Sequence, residues 1–221
     1  TGYTTALDQL GVPYEVWDAA VRGSPTNVLG NYPAVIWRLP ELSDGWNSTE
    51  RAAVSNYLHT GGALLVASME VLSRVEEAGD TSFVSNVLQV ASFAVDAGVG
   101  EVIGEPSDSL MAGIDITLDY KVYDDLWGGF VPSDISDTIS PGPNASTLLR
   151  DAYDDAVGLR WPAAGRDAPG RLVLLSFPLD AVPEADRPSL LGKILSFLAP
   201  GSSREAVLTF GASAYQVPGG A

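Results

Sequence analysis

The chain has 221 residues, 46% of them apolar, with five tryptophans and a formal charge of −16 from 28 acids against 12 bases. That length and apolar content suffice for one domain with a substantial core. An acidic chain with only two lysines, Lys121 and Lys193, offers no basic cluster for phosphates and argues against nucleic-acid and membrane binding, while the absence of cysteine removes disulfides, thiolate metal sites and a cysteine nucleophile.

Tyr3, Ala6, Leu7 and Leu10 recur at helical spacing, and Gly11 suits the left-handed position past a helix end, so the first predicted element is a helix. Residues 13–18 alternate as a strand, 25–30 form a short helical or turn segment, and 34–39 (Ala-Val-Ile-Trp-Arg-Leu) make a strand-length apolar run of the kind that parallel strands covered on both faces require. Ser48 or Thr49 then caps a helix with Glu50 and Arg51 in its first turn and apolar positions at Ala52, Val54, Tyr57 and Leu58. Gly61-Gly62 ends that helix, and 63–68 (Ala-Leu-Leu-Val-Ala-Ser) is the next buried strand. Strand, helix, Gly-Gly and strand in this order describe a right-handed βαβ crossover, and hence an α/β fold.

Residues 83–90 read as another amphipathic helix, after which 91–168 lose the rhythm. Candidate strands at 101–104, 114–118, 135–139 and 156–161 lie among Gly, Pro, Asp and Ser, with a loop at 140–144, and together predict an irregular, β-rich insertion. Order returns with a strand at 172–177 and a helix at 186–198 whose Leu190, Leu191, Ile194, Leu195 and Leu198 share one face. The expected boundaries are a domain at 1–200 and a linker with a strand-like tail at 201–221. The tail would either begin a further β-domain or pair with a free sheet edge of its own or a neighbouring copy.

The stretches 3–18, 32–37, 57–68 and 173–198, in this order and spacing, resemble the class I glutamine amidotransferase-like, or ThuA-like, domain found inside large exported bacterial proteins. The resemblance covers most of residues 1–199. It implies a flavodoxin-like three-layer sandwich with a mostly parallel core sheet, normally opened by a buried strand ahead of the first helix. It also implies a Gly-x-Cys-x-Gly elbow after the strand at 63–68 and a late Phe-His-Pro-Glu segment. The chain carries Val66-Ala67-Ser68-Met69-Glu70 and Phe177-Pro178-Leu179-Asp180 instead. A serine replaces the cysteine, both elbow glycines are missing, and proline, which cannot relay a proton, replaces the histidine. The lone histidine, His59, ends the helix preceding the strand of Ser68 and belongs at the opposite end of the sheet.

These losses favour a non-catalytic accessory, interaction or structural module of an exported multidomain protein. Its partners would be neighbouring domains, another protein or a second copy, and its location outside the cell or at the cell surface; the chain opens on Thr1, as a processed fragment would. The alternative is a hydrolase of glycan or ester bonds using Ser68, Glu70 and Asp180. A third reading is a calcium-stabilised adhesion domain, with Asp119, Asp124 and Asp125 as ligands and Asp151, Asp154 and Asp155 as a second group. Calcium is the only cofactor that the sequence suggests. Tyr120, Tyr123 and Trp127 could stack on a sugar or peptide, although aromatics in such an insertion also fill small secondary cores.

Overall fold

The computed structural model describes residues 2–41, 43–124, 133–200 and the backbone of 206–210. In chain order its regular elements are α1 (Gly2–Leu10), β1 (Tyr14–Asp18), α2 (Ala19–Arg22), β2 (Ala34–Arg38), α3 (Ser48–His59), β3 (Ala63–Ala67), α4 (Val71–Glu77), α5 (Thr81–Asn86), β4 (Val90–Ala94), β5 (Glu101–Gly104), β6 (Asp115–Thr117), β7 (Thr138–Pro141), β8 (Ser146–Arg150), β9 (Ala156–Trp161), β10 (Arg171–Leu175), α6 (Arg187–Leu198) and β11 (Ala206–Phe210). Nine strands form one mixed sheet in the order β1-β11-β2-β3-β10-β9-β8-β5-β6, and β4 pairs with β7 in a separate ribbon.

Pairing is parallel from β1 through β11, β2 and β3 to β10, and antiparallel from β10 onward. The expected α/β class is present, but the expectation of a mostly parallel sheet is corrected: the insertion does not stand apart but extends the same sheet with four antiparallel strands. Hairpin-linked strands can join an existing edge with short connections, whereas each parallel addition needs a crossover.

The parallel half is built by simple alternation. Ala34, Ile36, Ala63, Leu65, Ala67, Val173 and Leu175 face one cluster with Tyr3, Ala6 and Leu7 of α1 and Leu190, Leu191 and Ile194 of α6. Their neighbours Val35, Trp37, Leu64, Val66, Leu172 and Leu174 face the other, with Val54 and Leu58 of α3, Val71, Leu72 and Val75 of α4, and Phe83 of α5. Successive side chains point to opposite faces, so strands covered on both sides must be apolar at every position. Trp46 is wedged edge-on against both Trp37 and Phe83, with ring centroids 5.5 and 5.8 Å apart.

Local differences from the expected elements have local causes. The α3 cap is Asn47, not Ser48 or Thr49: its Oδ1 accepts from Thr49 N and Glu50 N, while Glu50 Oε2 accepts from Asn47 N at 3.0 Å, closing a capping box. The helix expected over 83–90 is α5, which stops at Asn86, and Val90 already belongs to β4. The strand expected at 135–139 begins only at Thr138, and β7 continues into the region expected to be loop. Residues 206–210 are an inner strand, with all five residues in register against both β1 and β2. Among the described residues no helix is long and apolar enough to cross a membrane.

Candidate functional site

Strands β2, β3 and β10 end side by side, and the residues that follow them bring several acidic side chains to this end of the sheet. The turn after β2 carries Glu41, only 2% exposed, whose Oε2 accepts hydrogen bonds from Ser68 Oγ and Met69 N, both at 2.9 Å. Ser68 Oγ in turn accepts from Glu70 N at 3.1 Å. One carboxyl group thus ties the turn after β2 to the turn after β3. Burial pushes the Glu41 carboxyl up to about 8, against the hydrogen bonds from Ser68 and the main chain and the nearby Arg38 guanidinium, which pull it down.

A second tie runs across the same edge. Arg38, the last residue of β2, donates from Nε to Asp180 Oδ2 at 3.0 Å, both side chains being mostly buried. Asp180 lies in the turn after β10, and that turn is itself held by Arg187, which donates to the carbonyls of Leu179, Asp180 and Val182. The Tyr3 ring from α1 closes this end. Burial raises its hydroxyl far above the usual phenol range, and the Asp180 and Glu41 charges push the same way.

The insertion contributes a further carboxyl group at this end. Asp137, 1% exposed, accepts from Asp96 N at 3.3 Å through Oδ1, and its main-chain carbonyl accepts from Ser176 Oγ at 2.6 Å, just past the end of β10. Its other carboxyl oxygen, Oδ2, is buried without a hydrogen-bond partner. Burial raises the Asp137 carboxyl to about 7, with the Glu70 and Asp96 charges adding to the effect and the hydrogen bond from Asp96 opposing it. Burial raises Glu70 as well, although its carboxylate pairs with Arg74 at 3.0 Å.

The three residues expected at a hydrolytic site therefore follow neighbouring strand ends but engage different partners: Ser68 meets Glu41, Glu70 meets Arg74, and Asp180 meets Arg38. His59 sits at the other end of the sheet, bonded through Nδ1 to the Ser55 carbonyl at 2.7 Å. Tyr123 is buried in the core, and the Tyr120 hydroxyl lies 2.9 Å from both the Val99 carbonyl and Ser136 Oγ, so these rings fill a secondary core instead of an open platform. Trp127 and Asp125 lie outside the described residues. Asp119 is paired with Lys121, and Asp124 accepts from Ser133 Oγ. Asp151 folds back onto the amides of Tyr153 and Asp155. Among the described residues no three His, Asp or Glu side chains converge closely enough to hold a metal ion.

Sequence reasoning missed Glu41, Asp137 and Arg38. Their one available signal is position: Arg38 and Glu41 stand at or just beyond the carboxyl end of an apolar strand, where open α/β sheets place their sites. Asp137 carries no such signal, because the insertion brings it there.

No protein-family model matches the chain and no curated protein matches it. Among solved structures it is similar to a cold-adapted β-galactosidase from Rahnella sp. R3, at 10% identity and a TM-score of 0.49, over 76% of this chain and 23% of that one. It is also similar to the exo-β-1,4-mannosidase Op5Man5 from Opitutaceae bacterium strain TAV5, at 14% identity and a TM-score of 0.41, over 80% and 25%. A third similarity is to the mmIFT52 N-terminal domain, at 12% identity and a TM-score of 0.45, over 80% and 81%. The chain thus spans a quarter or less of the two glycosidase chains. Similarities this weak assign neither a fold family nor an activity.

Proposed function

We propose that this chain is a non-catalytic interaction or structural module of a larger exported protein, built on a flavodoxin-like frame. The order of its parallel strands, β1-β11-β2-β3-β10, corresponds to the 2-1-3-4-5 arrangement of that frame if β11 stands for the first strand. The resemblance to glutamine amidotransferase-like domains belongs to the same reading. The observation that carries it is the state of Ser68. Its side chain is 2% exposed, its hydroxyl is bound to Glu41 and accepts from the Glu70 amide, and no imidazole stands near it. A nucleophile needs an open approach and a base that is itself oriented, whereas this hydroxyl works as a link between two turns.

A second reading has one specific observation in its favour. Glu41 and Asp137 are carboxyl groups raised to about 8 and about 7 at the strand ends, as a general acid working near neutral pH would be. It would make the domain a hydrolase of glycan or ester bonds, with Glu41 or Asp137 as the proton donor. One experiment separates the two. The purified chain is assayed on chromogenic esters and glycosides from pH 5 to 9, alongside Ser68→Ala, Glu41→Gln and Asp137→Asn. The module reading expects no turnover above buffer from any of the four proteins. Turnover by the parent that Glu41→Gln or Asp137→Asn abolishes in a still-folded protein would establish the hydrolase reading instead.

A further inference from the structure

Away from the strand ends, α4, α5 and β4 border an open groove of about 940 Å³, lined by Glu76 of α4, by Ser82, Val84 and Ser85 of α5, and by every residue of β4. Strand β4 is an edge. It pairs with β7 on one side, where Ser92, Phe93 and Ala94 stand opposite Ser140, Ile139 and Thr138, and among the described residues no strand lies on the other. In an antiparallel pair alternate residues send their N–H and C=O to the partner and those between send theirs outward, and no described group outside β7 hydrogen-bonds to the main chain of 91–95. Val95 is 54% exposed, and Phe93 packs only partly against the core. Natural edge strands are usually blunted by Lys, Pro or a bulge. Strand β4, Val-Ala-Ser-Phe-Ala, has neither a charge nor a proline, and its irregularity falls between Val90 and Ser92, so 92–94 remain a regular, open edge.

We propose that this groove takes an extended, basic peptide segment of a partner protein, which adds to β4 as a further strand. Outward main-chain groups in a row call for an extended chain, and the five residues of β4 span roughly 17 Å, the length of an equally short segment. Charge decides between the occupants such an edge admits. Glu76 lines the groove and Asp96 follows β4 closely. Both are exposed, among the described residues neither is in an ion pair, and no Lys or Arg lines the groove. A second copy's β4 would bring the same acids against these in a chain of net charge −16, which is unfavourable. A segment carrying Lys or Arg answers them instead, and its apolar residues meet Val84, Phe93 and Val95. Such a partner gives the module reading its occupant and rests on that reading.

The full chain, isotopically labelled, is titrated with acetyl-Lys-Val-Thr-Val-Lys-Val-amide and with its counterpart carrying Glu in place of both Lys, while amide exchange at 91–95 is followed by NMR. The basic peptide alone should slow exchange there. Of its two versions N-methylated on alternate amides, the one whose bonding edge is blocked should lose the effect. Neutralising the exposed acids with Glu76→Gln and Asp96→Asn, or raising sodium chloride from about 50 to 500 mM, should weaken the basic peptide roughly two- to tenfold. No slowing with either peptide at millimolar concentration, or equal slowing by both, would overturn the proposal. So would slowing without peptide that grows with protein concentration alongside a dimer in sedimentation, which would assign the edge to a second copy. The readout is binding alone, so its failure would leave the module reading standing, whereas turnover in the ester and glycoside assay would remove that reading without altering the peptide result.

Discussion

Replacing Glu41 by glutamine should remove most of a pH dependence that the buried carboxyl imposes on stability. In the unfolded chain this group ionises near 4.5, and in the folded protein burial holds the proton until about 8. Between those values the unfolded state binds fewer protons than the native state, so stability falls as pH rises through the window and is level above it. A shift from 4.5 to about 8, at 1.36 kcal/mol per pH unit, amounts to roughly 5 kcal/mol. For a domain of this size that corresponds to a fall in Tm on the order of 10–20 °C between pH 4.5 and 8. Asp137 adds a loss of the same sign between 3.8 and about 7. Carboxylates such as Glu105 and Asp80, which their hydrogen bonds to Ser107 and Ser82 and their arginine partners hold below the usual range, act in the opposite direction but only below this window. Glutamine keeps an acceptor for Ser68 Oγ and Met69 N and has no proton to lose, so Glu41→Gln should match the parent near pH 5 and exceed it clearly at pH 8.5. Thermal melts or urea titrations from pH 4.5 to 9 make the measurement. General repulsion at a charge of −16 affects both proteins alike, which makes their difference the informative quantity. A parent whose stability is flat or rises between pH 5 and 8, or a variant with the parent's slope, would refute the argument.

Arg38→Met should cost about 3–5 kcal/mol in urea unfolding, because it strands the mostly buried Asp180 carboxylate and removes the cation beside Glu41; a loss below 1 kcal/mol would show the pair to be dispensable. Gly170→Ala should destabilise by about 1–3 kcal/mol in the same assay, since its Cβ would lie 2.2 Å from the Leu58 carbonyl oxygen and 2.7 Å from that of Gly62, and main-chain atoms cannot step aside as a side chain would. Calcium and chelator should leave the melting temperature unchanged, given that Asp119 and Asp124 are turned to Lys121 and Ser133; a rise of several degrees with calcium would revive an ion site.

The parallel core was legible because its strands are uniform. Runs such as Ala-Leu-Leu-Val-Ala at 63–67 have no polar face and can only be covered on both sides. Helix α4 was not, because its seven residues follow Glu70 with no side-chain cap, so that only its end is marked, by Gly79 in the left-handed position past Ala78. Strand β8, Ser-Thr-Leu-Leu-Arg, buries only Leu148 and Leu149, and it is a strand because β5 and β9 flank it, not because of its own composition. The site was hidden for a related reason. A glutamate after Leu-Pro and an aspartate after Ile-Ser look like ordinary turn acids, and nothing local records that the insertion folds over them. Burial of Glu41 and Asp137 is a property of contacts with residues dozens of positions away, which no short window contains.

The position of β11 also bears on when this sheet can form during synthesis. Its partner strand β1 lies about 190 residues earlier, so the outermost pairing on that side is also the most distant in sequence. A chain emerging amino end first can dock α3 between β2 and β3 early, yet β1 has no strand neighbour until the last described residues are free. Closing so long a loop is slow, and until then β1 and the apolar β2 present unpaired edges. The nascent protein should accordingly be most vulnerable to aggregation until β11 arrives, and a chaperone that holds such edges would act before that point.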